Sequence, residues 1–112
     1  AYVLLNQVIA VLDMGYTLLE DCGFTRAEAV RATGQLVMRN IENVLEAGCD
    51  GALTGPIERN DIETVKKHIA CMQNDDSDDV SLYKMLGTKL ANIAEKKNPD
   101  KDYTQMMELL RG

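Results

Sequence analysis

Residues 2–22, YVLLNQVIAVLDMGYTLLEDC, are the most apolar stretch of the chain, and their periodicity decides its fold class. At about 100° per residue, Asn6, Asp13, Thr17 and Glu20 fall within one narrow polar stripe, and nearly everything else is hydrophobic. That spacing predicts a helix. A membrane span competes with a soluble helix here, but Asn6, Gln7 and Asp13 lie inside the stretch, and a central Asp alone costs about 3 kcal/mol on insertion scales. The sequence therefore argues against a membrane. A helix apolar around most of its circumference is either central in its domain or pressed against a second surface, and in so short a chain a partner chain or partner domain accounts better for the excess. Ala1-Tyr-Val-Leu-Leu also enters the helical pattern with no Ser, Thr, Asp or Asn cap ahead of it, which leads us to expect a domain cut out of a longer protein.

Outward from this helix, Gly23 is placed to close it, and Thr25-Arg26-Ala27-Glu28 is a capping box that opens the next. Val30, Val37, Ile41, Val44 and Leu45 then form a heptad-like seam up to Gly48, with Gly34 inside it as either a mildly destabilising neutral residue or a point of close helix–helix approach. Residues 48–60, GCDGALTGPIERN, are the one long irregular segment. Asn60 with Glu63 offers a second cap for a one-sided helix through Ile62, Val65, Ile69 and Met72. The run NDDSDD at 74–79 reads as a solvated linker; no register supplies the Gly and Glu that an EF-hand loop requires. A fourth helix carries Leu82, Leu86, Leu90 and Ile93 and stops at Asn98-Pro99, and a short last one carries Tyr103, Met106, Met107 and Leu110. The expectation is an all-α, five-helix bundle in a single domain, 1–112, with helices near 2–22, 26–47, 61–73, 79–97 and 102–110.

The chain has 112 residues, of which 46 % are hydrophobic and 27 % charged, an ordinary globular balance that excludes intrinsic disorder. Twelve basic against eighteen acidic residues give a net charge of −6, which repels phosphate backbones and argues against a nucleic-acid partner. Cys22, Cys49 and Cys71 are widely spaced and odd in number, with no CxxC pair. They read as reduced thiols of a cytoplasmic protein, with neither zinc nor a disulfide framework implied. HExxH, GxSxG, GxxxxGK[ST] and GxGxxG are all absent.

The local anomaly is the segment around Leu53-Thr54-Gly55-Pro56. Irregular segments of this length in compact domains tend to be functional. Gly55-Pro56 sets a rigid turn, and Arg59 stands just ahead of a helix start whose backbone N–H groups are unpaired, an arrangement suited to an anionic group. The competing reading is a turn with a solvated Arg. His68, the single histidine, lies at the border of its helix's apolar face, where it reads as a packing residue or a proton donor.

The stretch Ala52-Leu53-Thr54-Gly55-Pro56-Ile57-Glu58-Arg59-Asn60-Asp61, followed by Thr64-Val65 and His68, resembles the signature ALTGPxxRGDxxTVxxH. That signature belongs to the C-terminal helical domain of Rossmann-like proteins catalogued as domain of unknown function 2520. Asn6 and Asn43 match two further Asn positions of the pattern, so the resemblance covers nearly all of residues 1–97. One departure is Asn60, which stands where the signature has Gly; Asn tolerates positive φ better than most residues, so the turn is expected to be kept. The resemblance implies a fold similar to the C-terminal domain of 6-phosphogluconate dehydrogenase, in which helices build a homodimer and close one wall of an active cleft. It also implies an N-terminal Rossmann domain in the parent that binds NAD(P), and that this chain alone binds no cofactor and has no oxidoreductase activity. Carried over residue by residue, Asn6 and His68 are the catalytic candidates. Thr54, Gly55, Pro56, Arg59 and Asp61 would face substrate or cofactor, and no metal is implied. The alternative is a stand-alone helical protein-interaction module whose loop motif is structural.

Overall fold

The computed structural model describes residues 1–73 and 78–112; most of the acidic linker lies outside them. The chain is all-α, with no strand among the described residues. Its helices are α1 (Tyr2–Asp21), α2 (Arg26–Ala52), α3 (Ile62–Gln73), α4 (Asp79–Lys97) and α5 (Thr104–Arg111), close to the expected boundaries. They fall into two compact units, Ala1–Glu42 and Asn43–Gly112.

In the first unit, α1 ends in a Schellman turn. Gly23, at φ 104°, donates its N–H to the Glu20 carbonyl, and Phe24 donates to Leu19. The capping box then starts α2: Thr25 N–H donates to Glu28 Oε1 at 2.9 Å, and Glu28 N–H donates to Thr25 Oγ1 at 3.1 Å. The bond from Thr25 N–H, with the Thr25 side chain adding to it, holds the Glu28 carboxyl below its ordinary value. Arg26 grips α1 from across the turn. Its guanidinium pairs with Asp13 at 2.9 Å and Glu20 at 2.7 Å, donates to Thr17 Oγ1 and lies over the Tyr16 ring. Beyond this junction the helices do not close on each other. They border an apolar cleft of about 530 Å³ lined by side chains such as Leu4, Val8, Leu12, Val37 and Ile41. No residue of α1 is buried, and Ala29 is the single buried residue of the unit. Tyr2 and Val3 are each 78 % exposed and Leu4 68 %. Among the described helices, α1 alone is long and apolar enough to cross a membrane.

Two expectations for α2 are corrected. Its seam is not a core, because Val30 and Ile41 are exposed and Leu45 is 81 % exposed. Gly34 marks no close approach either, since a Cβ built there meets nothing within 4 Å. The helix bends at Gly48 (φ 79°, ψ 173°), and the chain then winds one further turn to Ala52, closed by Leu53 N–H on the Cys49 carbonyl.

The second unit holds the core. Val65 and Ile69 of α3, Ala91 and Ala94 of α4, and Tyr103, Met106, Met107 and Leu110 around α5 pack together with Ile57. Each large apolar side chain buried here contributes about 1.5–3 kcal/mol. The buried face of α4 is not the expected leucine row but the small-residue stripe Gly87, Ala91 and Ala94, spaced at i, i+4 and i+7, with Leu90 half-buried beside it. The reason is steric: a Cβ at Gly87 would lie 2.8 Å from Leu110 Cδ2 and 3.4 Å from Ile57 Cδ1, so a larger residue here would make the Leu110 side chain shift.

Candidate functional site

The segment between α2 and α3 is a single tight turn. Gly55 takes φ 100°, a conformation that side chains disfavour, and Pro56 follows, where no N–H is needed. One helical turn winds from there: Arg59 N–H donates to the Gly55 carbonyl at 3.0 Å, and Asp61 N–H to Pro56 at 2.8 Å. Asn60 closes it at φ 60°, its own N–H on the Ile57 carbonyl. This left-handed position accounts for Gly in the signature and for the tolerance of Asn here. Ile57 points inward at 6 % exposure, while Thr54 and Arg59 are exposed.

The start of α3 differs from expectation. Asn60 is committed to the left-handed closure, so it is Asp61 that caps α3. Its Oδ1 accepts from Thr64 N–H at 3.1 Å, and its Oδ2 accepts from the Thr64 hydroxyl at 2.7 Å. These bonds, aided by the nearby charges of Arg59 and Lys67, hold the Asp61 carboxyl below its ordinary range. The N–H groups of Arg59, Asn60, Asp61, Ile62 and Thr64 are thereby all bonded within the turn and the cap. An anion at this place would be met by the Arg59 guanidinium and the Thr54 hydroxyl rather than by those five amides.

Further along α3, His68 Nδ1 lies 3.0 Å from the Tyr83 hydroxyl of α4, with the rings edge to face at 84°. Burial pushes the Tyr83 phenol above its ordinary value, so the hydroxyl keeps its proton at neutral pH. When Tyr83 donates to Nδ1, the remaining proton of a neutral imidazole sits on Nε2. The structure thus brings Thr54, Gly55, Pro56, Arg59 and Asp61 onto one turn and helix start, and sets His68 on the same helix. Asn6 belongs to the other unit, exposed on α1.

Several polar residues behind the turn escaped the sequence reading. Lys97 Nζ donates to the Leu53 carbonyl at 2.8 Å and lies 3.8 Å from Glu58. The Tyr103 hydroxyl donates to the Glu58 carbonyl at 2.6 Å. Asn98 Nδ2 serves both Glu58 Oε1 and Tyr103 Oη, and Asn60 Nδ2 donates to the Asp102 carbonyl at 2.8 Å. In the sequence, Asn98 signals only a helix end and Tyr103 only an apolar position. Among the described residues, no cluster of His, Cys, Asp and Glu is arranged to hold a metal.

These features define a class: a helical domain with an open apolar hairpin and an exposed, rigidly mounted Thr-Gly-Pro…Arg turn. The family described as Domain of unknown function (DUF2520) matches residues 1–90, and the chain belongs to it. No curated protein and no solved structure matches the chain significantly.

Proposed function

We propose that this chain is the dimerisation and substrate-cleft domain of an NAD(P)-dependent oxidoreductase. The observation that carries the reading is the α1–α2 hairpin. It has an apolar cleft of about 530 Å³ and a 20-residue helix without one buried residue, a surface shaped to be covered by protein. Asn6 and Asp13 within α1 favour a protein cover over lipid. Family membership and the exposed pair Thr54 and Arg59 support the cleft half of the proposal. There, Arg59 would hold a substrate carboxylate or a cofactor phosphate, His68 would donate a proton through Nε2, and Asn6 would meet an amide or a substrate oxygen.

The dinucleotide itself does not fit these residues. The described segments contain no strand, and so no strand–glycine turn–helix unit to cradle a pyrophosphate. NAD(P) belongs, on this reading, to a Rossmann domain of the parent protein.

Sedimentation at tens of micromolar tests the dimer. The chain should run as a dimer, and Leu12→Glu, which puts a charge into the cleft wall, should weaken association at least tenfold. A monomer at that concentration rejects the dimer. In the parent enzyme, Arg59→Ala should raise KM about tenfold through loss of roughly 1.5–3 kcal/mol of charged hydrogen bonding. Unchanged KM with a lowered Tm would make the turn architectural.

A further inference from the structure

We propose that Lys97, Asn98 and Tyr103 are the positioning residues of the candidate site, a C-terminal clasp that holds the 53–61 turn so that Thr54 and Arg59 stay presented. The family match ends at residue 90, so the clasp lies outside the segment that defines the family. The proposal rests on reading Thr54 and Arg59 as ligand-facing groups.

The clasp grips the turn at its beginning, middle and end. Leu53 is held through its carbonyl by Lys97, Glu58 through its carbonyl by Tyr103 and through its side chain by Asn98, and Asn60 by the Asp102 carbonyl. Tyr103 is 2 % exposed, and its hydroxyl is fully used: it donates to Glu58 and accepts from Asn98 at 3.1 Å. The two Asn98 amide protons have one acceptor each, Glu58 Oε1 and Tyr103 Oη. An independent apolar anchor lies beneath, where Ile57 of the turn and Leu110 of α5 meet over the bare backbone of Gly87. The clasp grips Leu53, Glu58 and Asn60, which are half-buried, whereas Thr54 and Arg59 between them are exposed. Backbone carbonyls held by the half-buried Lys97 and the buried Tyr103 add to the turn's own three internal bonds, because a short isolated turn pays most of its ordering entropy alone.

Tyr103→Phe tests this, because it keeps the buried ring and removes only the hydroxyl. Amide hydrogen exchange on the full chain reads each N–H separately. The amides of Arg59, Asn60 and Asp61 should exchange at least tenfold faster, while those of Val65 and Ile69 in α3 hold their rates. Asn98→Ala should give the same pattern to a smaller degree, and it serves if Tyr103→Phe does not fold. Unchanged turn amides overturn the clasp. So does an equal acceleration across Asn43–Gly112, which would make Tyr103 a residue of general stability. Exchange reports the clasp without any ligand, whereas Arg59→Ala in the parent enzyme reports the ligand-facing reading. A loosened turn with an unaffected Arg59→Ala enzyme therefore keeps the clasp and rejects only the cleft.

Discussion

The two units of this chain share a helical alphabet but not an energy source. Asn43–Gly112 buries side chains from three helices and a turn, including Val65 and Met106 at 0 % exposure, and assembles its own core. Ala1–Glu42 buries a single alanine and is held at its junction by a Schellman turn, a capping box and the ion pairs of Arg26. Exposed ion pairs contribute about 0–1 kcal/mol each, and a cap about 1 kcal/mol, against several buried side chains at about 1.5–3 kcal/mol apiece. The difference teaches that one unit carries its own core, while the other is an arm whose apolar surface is left open.

The comparison breaks most visibly at Met106. Met106→Ala should cost about 2–5 kcal/mol in urea or thermal unfolding, whereas Leu4→Ala in the arm should stay within about 0.5 kcal/mol when the chain is monomeric. If the two costs were alike, the arm would have a core of its own. Asn60→Ala sharpens the second unit. Asn already carries a β-carbon at φ 60°, so the substitution loses only its modest left-handed preference and the bond to Asp102 of about 1 kcal/mol, and a total of about 1–2 kcal/mol is expected in the same assay. Asn60→Gly should recover the conformational part. The smallest effect belongs to the arm: Thr25→Ala should lose about 1 kcal/mol of helix stability, read as helicity by circular dichroism.

The two helix caps, at Glu28 and at Asp61, carry a pH dependence. Glu28 and Asp61 titrate below their ordinary values of 4.5 and 3.8 in the folded chain, so the unfolded chain binds more protons in acid. Their contribution is complete above those ordinary values and falls away as the pH drops through the depressed ones. Helicity of the arm should therefore fall as the pH drops below 4.5, and Glu28→Gln should remove most of that dependence, read by circular dichroism.

Much of the fold was legible because its signals are local. Gly23, the Thr25–Glu28 box and the one-sided pattern of α3 each act over three to seven residues, and each is realised. Gly48 was legible as a break but not as a kink with another helical turn behind it, since glycine-rich CDGA gives no periodic signal. The α3 cap shifted from Asn60 to Asp61 because the two motifs compete for one residue, and the left-handed closure took it. On α4 the leucines outweighed the alanines in hydrophobicity, whereas close packing selected the small side chains. The turn's exposed residues could be named from the signature. Its mounting could not, because the bonds that make it join positions 40 to 45 apart, a separation that no local pattern encodes. Tyr83 escaped for the same reason, fifteen residues from His68.

Arg26 gives the arm the mechanics of a pair of tweezers. It pins α1 through Asp13, Thr17 and Glu20, all in the half of the helix nearest the turn, and leaves the tips unpinned. A helix of 20 residues is about 30 Å long, so a rotation of about 5° at the pinned end swings the tip by about 2–3 Å. Because the jaws share no packed seam, their gape is set at the Arg26 elbow alone, and small changes there are magnified at Tyr2, Val3 and Leu4.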